Sequence, residues 1–219
     1  METGSTVEMS GVCCAHGRRT VVRDVDVRVR AGERVALTGT NGSGKTTLLR
    51  AVLGLHPVRA GTVTVDGRQV RTGRDLDRRR RRVAWIPQRQ AGGRFPLLAR
   101  ELLDSSGAFG EAVAAAGRLG VGDLVDRPLH TLSGGQLQRM YLARAVGCVG
   151  AGAGALLADE PTAALDFDGQ SDAADLLTGL PVTLLVVTHD RALAARCDRV
   201  LEMADGRLRE IPVRSGETR

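Results

Sequence analysis

A chain of 219 residues has room for one or two domains of about 100 to 200 residues, and one compact domain with a small insert suits it best. Apolar residues make up 42% of it, yet no run reaches the ~20 apolar residues of a membrane-spanning helix and no signal-like segment opens it, so a soluble, cytosolic protein is expected. Cys13, Cys14, Cys148 and Cys197 form no CxxC pair and lack suitably spaced histidines, which argues against a zinc module or a disulfide framework, and the net charge of +6 admits a polyanionic partner without requiring one.

From the N-terminus, Val21 to Arg30 alternates Val25, Val27 and Val29 with charged residues, the period-2 pattern of a half-buried strand. Arg34 to Thr38 is a short apolar run suited to a buried parallel strand, and Thr46 to Leu53 reads as a helix. Thr62 to Val65, Asp66-Gly67 and Arg68 to Val70 read as a hairpin with a tight turn, so an antiparallel β layer is expected early in the chain. The run Arg78 to Arg82 is flanked by Asp75 and Asp77 in a chain with only 2% aromatic residues, so it is read as a solvated face, and no nucleic acid is expected.

Ala99 to Leu132, rich in Ala, Leu, Gly and paired charges, reads as a helical insert between two strand-bearing halves. Gln136 to Val146 reads as a helix and Gly147 to Gly154 as a flexible loop. Leu156 to Ala158 and Val182 to Val187 are further buried strands, and Glu202 to Pro212 closes the chain as a hairpin around Asp205-Gly206. No internal repeat or long coiled coil is present.

Gly39-Thr40-Asn41-Gly42-Ser43-Gly44-Lys45-Thr46 fits GxxxxGK[ST], directly after an apolar strand and before a helix, with Thr47 following. Glycines let the backbone curl into a nest of inward N–H groups, and the helix start adds its positive dipole end. Lys45 would bridge the β and γ phosphates of a nucleotide and Thr46 would ligate Mg²⁺. Lys45 is the only lysine among 31 basic residues, in a chain that otherwise supplies positive charge with arginine. Leu156-Leu-Ala-Asp159 is an apolar strand ending in an acid, which puts Asp159 at the carboxyl edge of the sheet to hold Mg²⁺. Glu160, the next residue, is a candidate general base for an attacking water.

Leu132-Ser133-Gly134-Gly135-Gln136, at a helix start between those two motifs, resembles the signature of the ABC ATPases. Gln88 in Trp85-Ile-Pro-Gln88 is similar to that family's Q-loop glutamine, Asp166 in Thr162-Ala-Ala-Leu-Asp166 to its D-loop, and His189 to its switch histidine, all in the family's order over about Val7 to Arg209. The resemblance implies an α/β fold, a P-loop ABC ATPase with a mixed-sheet core, an antiparallel β subdomain and a small α-helical subdomain near residues 90–146, all in one domain over 1–219. It implies ATP and Mg²⁺ as cofactors, Glu160, His189 and Gln88 as catalytic residues, and Thr46, Gln88 and Asp159 around the metal. It also implies a head-to-tail ATP-sandwich dimer in which Ser133, Gly134, Gly135, Gln136 and Asp166 reach the nucleotide of the opposite copy. Integral-membrane permease subunits would be the partners, holding the chain at the inner face of the cell membrane.

The family stacks adenine on an aromatic residue upstream of the phosphate loop; here His16 stands there, either as a weaker stacking partner or as an exposed loop histidine. Phe95-Pro-Leu-Leu, Arg100-Glu-Leu-Leu and Asp166-Phe-Asp-Gly-Gln170 are similar to segments of zinc- and manganese-type importers, which work with an extracytoplasmic substrate-binding protein; lipid, peptide or drug export stays open. The competing expectation is a soluble ABC ATPase acting on nucleic acid or ribosomes, without the second ATPase half, coiled coil or zinc modules usual there.

Overall fold

The computed structural model describes residues 4–88 and 97–212. Phe95 and Pro96, part of the importer-like segment, lie outside them.

One sheet is antiparallel, in the order β2 (Arg19–Val29), β1 (Val7–His16), β4 (Ala60–Val65), β5 (Arg68–Gln69). The second has six strands, in the order β10 (Arg207–Ile211), β9 (Arg199–Ala204), β3 (Arg34–Thr38), β8 (Thr183–Val187), β7 (Ala155–Asp159), β6 (Val83–Ile86). β9, β3, β8, β7 and β6 run parallel and β10 pairs antiparallel at the edge, so the sheet is mixed. Every residue of β7 and β8 is buried, as strands covered on both faces require, and this is why they read as continuous apolar runs. α1 (Lys45–Val52) packs Leu48, Leu49 and Val52 into a core shared by the two sheets; each such side chain contributes about 1.5 to 3 kcal/mol by burial. Among the described residues, no helix is long and apolar enough to cross a membrane.

The two hairpins turn on Asp66-Gly67 and Asp205-Gly206, all four residues having positive φ between 49° and 79°. That geometry matches the right-handed twist of the flanking strands, and Asp-Gly tolerates it. α3 (Ala99–Asp104) and α4 (Phe109–Arg118), with 3-10 turns at Gly122–Leu124 and Leu129–Thr131, form the helical insert and pack on α5 (Gly134–Gly150) around Leu103, Ala112, Ala115, Ala116 and Met140.

Two expectations are corrected. The segment from Gly147 is not all loop, because α5 continues to Gly150 before the chain turns into β7. A Cβ on Gly147 would lie 2.5 Å from Ser106 Oγ and 2.8 Å from Ala112 Cβ, so this glycine lets α4 and the end of α3 approach α5 rather than loosening the backbone. Nor is the arginine run wholly solvated. It lies in α2 (Gly73–Arg82), opened by a reciprocal cap between Thr72 and Asp75. Arg79 is 6% exposed and donates to the carbonyls of Val52 at 3.2 Å, Val63 at 2.8 Å and Arg68 at 3.0 Å, joining the end of α1 to β4 and β5. Arg78, Arg80 and Arg81 are exposed, as expected.

Candidate nucleotide site

The carboxyl ends of β3, β7, β8 and β6 face one edge of the mixed sheet, where ligands of open α/β sheets collect. β3 delivers Gly39, whose φ is 132° and on which a Cβ would lie 2.2 Å from the Met203 carbonyl oxygen; only glycine fits there. The loop ends at Gly44, the N-cap of α1, with a φ of 110° and no side-chain cap. The first N–H groups of α1 are thus left without a side-chain acceptor, as an anion-binding helix start requires. Ser43 Oγ is buried beside them without a hydrogen-bond partner.

Lys45 is 7% exposed and donates from Nζ to the carbonyls of Gly39 at 2.7 Å and Thr40 at 2.9 Å. Burial pushes its pKa down, against the pull of Glu160 and Asp159, which favour the charged form. The Thr46 hydroxyl donates to Asp159 Oδ2 at 2.7 Å. Asp159 is 1% exposed and its Oδ1 is buried without a partner. Burial raises its pKa, opposed by the Thr46 bond and by Arg50 and Lys45. An unpaired carboxylate oxygen beside a threonine hydroxyl is a hard oxygen donor set, and the residues present fit Mg²⁺.

Glu160 has φ 52°, a left-handed conformation that is strained for a non-glycine residue and turns the chain out of β7. Its backbone N–H donates to the Val187 carbonyl at 2.9 Å. His189, two residues beyond β8, holds the carboxylate from both sides: the backbone N–H of His189 donates to Oε2 at 3.3 Å and Nε2 lies 3.3 Å from Oε1. Burial raises the Glu160 pKa, His189 and Lys45 pull it down, and Asp159 adds to the rise. Gln88 stands exposed just past β6. His16 ends β1, its Nε2 3.2 Å from the Thr47 hydroxyl.

A cavity of about 270 Å³ gathers His16, Val21, Asn41, Gly42, Gly44, Lys45, Thr46, Thr47, Gln88, Asp159 and Glu160. Its chemistry is a cationic loop facing two carboxylates and a hydroxyl, suited to a phosphate chain, a divalent cation and a water between them.

The other candidate residues lie elsewhere. Ser133 caps α5, accepting from the Gln136 N–H at 3.2 Å while its own N–H donates to Gln136 Oε1 at 2.9 Å. Asp166 caps α6 (Phe167–Gly179) and accepts from Arg139 of α5 at 3.2 Å. Gln138 Nε2 donates to the Pro161 carbonyl at 2.7 Å, so the signature helix and the loop after Glu160 are fastened side by side. Ser133, Gly134, Gly135, Gln136 and Asp166 do not line the phosphate cavity of their own chain. Gln138 and Arg139, which hold that loop, and His56, which packs against His16, sit in no recognisable sequence spacing.

The family profile described as ABC transporter matches residues 22–163, more than half of the chain. The zinc transport system ATP-binding protein TroB of Treponema pallidum is 37% identical over 91% of this chain and 78% of its own length. The hemin import ATP-binding protein HmuV of Rhodococcus jostii is 36% identical over 93% and 73%, and the lipoprotein-releasing system ATP-binding protein LolD of Xanthomonas campestris is 36% identical over 93% and 91%. Among solved structures, a dimeric bacterial ABC transporter cassette superposes with a TM-score of 0.85 at 26% identity, covering 96% of this chain and all of that one. The phosphate loop, the sheet-edge carboxylates and these similarities together make the chain a member of the ABC transporter family, an ATP-binding subunit of the α/β P-loop architecture described above.

Proposed function

We propose that the chain, one ABC ATPase domain over residues 1–219 with its helical part near 90–146, hydrolyses MgATP as one of two copies beneath membrane-spanning permease subunits at the inner face of the cell membrane. The observation that carries this reading is the convergence of Lys45, Thr46, Asp159 and Glu160 on one cavity at the sheet edge. The backbone from Gly39 to Thr47 and the uncapped start of α1 cradle the phosphates, while Lys45 exchanges the Gly39 and Thr40 carbonyls for β- and γ-phosphate oxygens. Thr46, Asp159 and Gln88, which line one cavity, would hold Mg²⁺. Bound Mg²⁺ neutralises charge developing on the phosphate oxygens. Glu160 accepts the proton of the attacking water, and His189 holds Glu160 in place and steadies the γ-phosphate.

Ser133 to Gln136 and Asp166 act on the nucleotide of a second copy, in a head-to-tail dimer with ATP between. Ser133, Gly134 and Asp166 are exposed and none of the five lines its own phosphate cavity, which supports this, as does the dimeric state of the solved cassette. Loss of the γ-phosphate then releases the two copies, and the motion passes to the permease.

The test is Glu160→Gln. It keeps ATP binding, forms an ATP-dependent dimer by light scattering and loses about 10²- to 10⁴-fold in turnover; turnover at the wild-type rate would remove Glu160 from the base role. Affinity capture from membranes should recover a polytopic permease, whereas nucleic acid in its place would favour the soluble alternative.

For cargo, we propose import of a metal ion with an extracytoplasmic substrate-binding protein. Two relatives support it by name, TroB and the zinc import protein ZnuC of Cereibacter sphaeroides, the latter 38% identical over 84% of this chain and 73% of its own length. Radioactive zinc uptake that survives deletion of the gene would count against it.

A further inference from the structure

The end of the cavity at His16 carries an arrangement that phosphate binding does not explain. His16 is exposed there, and its ring meets that of His56 edge to face, with centroids 4.8 Å apart and an interplanar angle of 65°. His56 is half-buried in the turn after α1, where its backbone N–H donates to the Arg50 carbonyl at 3.2 Å. Arg59 fastens the same segment to the end of β1: its N–H donates to the Cys13 carbonyl at 2.8 Å and its guanidinium to the Gly17 carbonyl at 2.8 Å. Thr47, in the first turn of α1, holds His16 Nε2 at 3.2 Å. One helix and the segment after it therefore fix His16 by its ring nitrogen, by its ring edge or face, and by the backbone on both sides.

His56 Nε2 is buried without a hydrogen-bond partner. A polar atom left unpaired costs stability, so an apolar side chain would serve better if this place merely needed filling. What the site uses is the flat ring against His16. Burial above all, with the charges of His16 and Arg50, pushes the His56 pKa down. An imidazole offers less stacking surface than a phenol ring, and a freely rotating one would lose rotamer freedom on binding a base. Holding the ring beforehand removes that loss.

We infer that His56 is a positioning residue for nucleobase recognition: it holds the His16 imidazole at a fixed tilt so that its open face meets the base. This rests on His16 contacting the base, and the experiment separates the two claims. The full-length protein is titrated by calorimetry with MgATP and with magnesium tripolyphosphate, which has the phosphate chain and no base. His56→Ala weakens MgATP binding about 3- to 10-fold, shifts the KM of hydrolysis in parallel with little change in kcat, and leaves tripolyphosphate affinity unchanged. His56→Phe, which keeps a ring, restores MgATP affinity to within about twofold. His16→Ala gives a similar loss, and the double variant loses little more, because the two act as a unit.

Equal weakening of MgATP and tripolyphosphate by His56→Ala, or failure of His56→Phe to restore binding, overturns the inference and leaves His56 a folding residue. A base-specific loss in His16→Ala alone keeps the His16 contact and removes the role of His56. No loss in His16→Ala removes the base contact itself.

Discussion

Two of the glycine-bearing helix starts among the described residues are finished in opposite ways. α1 begins at Gly44 without a side-chain cap, beside a buried lysine and the unpartnered Ser43 hydroxyl, and opposite the unpartnered Asp159 Oδ1. α5 begins at Ser133 with a reciprocal Ser133–Gln136 cap and stands exposed. At the first start, Ser43 Oγ and Asp159 Oδ1 are removed from water without a partner, at a cost in free energy that a bound ligand would relieve. At the second, the Ser133 and Gln136 N–H groups are already satisfied within the cap.

Substitutions can break or sharpen that contrast. Lys45→Ala should act hardest, lowering MgATP affinity on the order of 100-fold by calorimetry, because it removes a buried charge-assisted contact; unchanged affinity would leave α1 no more a phosphate site than α5. Next is Arg79→Met, which strands the carbonyls of Val52, Val63 and Arg68 and so loosens the far end of α1. A loss of about 2 to 4 kcal/mol in urea unfolding is expected, and an unchanged midpoint would mean water replaces the guanidinium. Ser133→Ala should cost about 1 kcal/mol of stability, leave nucleotide binding to the single chain unaltered, and slow turnover. A fall in single-chain ATP affinity would show that the two helix starts are not independent.

The smallest effect is expected from Asp198→Asn. Asp198 accepts from the Arg34 guanidinium at 2.9 Å and from its backbone N–H at 2.8 Å, fastening the start of the strand that feeds the phosphate loop. Burial raises the Asp198 pKa, but the Arg34 bonds and charge outweigh it and hold the carboxyl below its ordinary value. Its stabilisation is therefore present at neutral pH and disappears as the pH falls through the lowered value. Both side chains are more than a third exposed, so the loss should stay under about 1 kcal/mol. The difference in urea midpoint between variant and wild type should shrink on acidification, and a difference that grew would reverse the sign of the linkage.

How far the fold could be read from the chain depended on whether an element's signal is local. β3, β7 and β8 are covered on both faces, so their apolar runs stand out, and the two Asp-Gly turns carry their positive φ in their composition. β1 is not legible in the same way: its Val-Glu-Met-Ser-Gly-Val-Cys-Cys-Ala-His gives no clean alternation, and register shifts break its pairing with both neighbours. α2 was hidden in an arginine run with almost no apolar residue to set a period. Gly147 read as flexibility when it serves close approach, and only the opposite helix tells the two apart.

The phosphate loop, the strand-end acids and the signature were determined by sequence alone, because each is a short stretch whose backbone geometry and chemistry lie within a few neighbouring residues. Tertiary structure decided what those stretches face. It put Thr46 against Asp159 across 113 positions of chain, set His189 on Glu160, left Asp159 Oδ1 unpaired, and kept Ser133 to Gln136 out of the lining of their own chain's phosphate cavity. It also brought His56 to His16, a pairing with no trace in the spacing of two histidines. Contacts between distant segments are set by how sheets and helices pack, and burial, which shifts the pKa of Asp159, Glu160 and His56, exists only once they have packed.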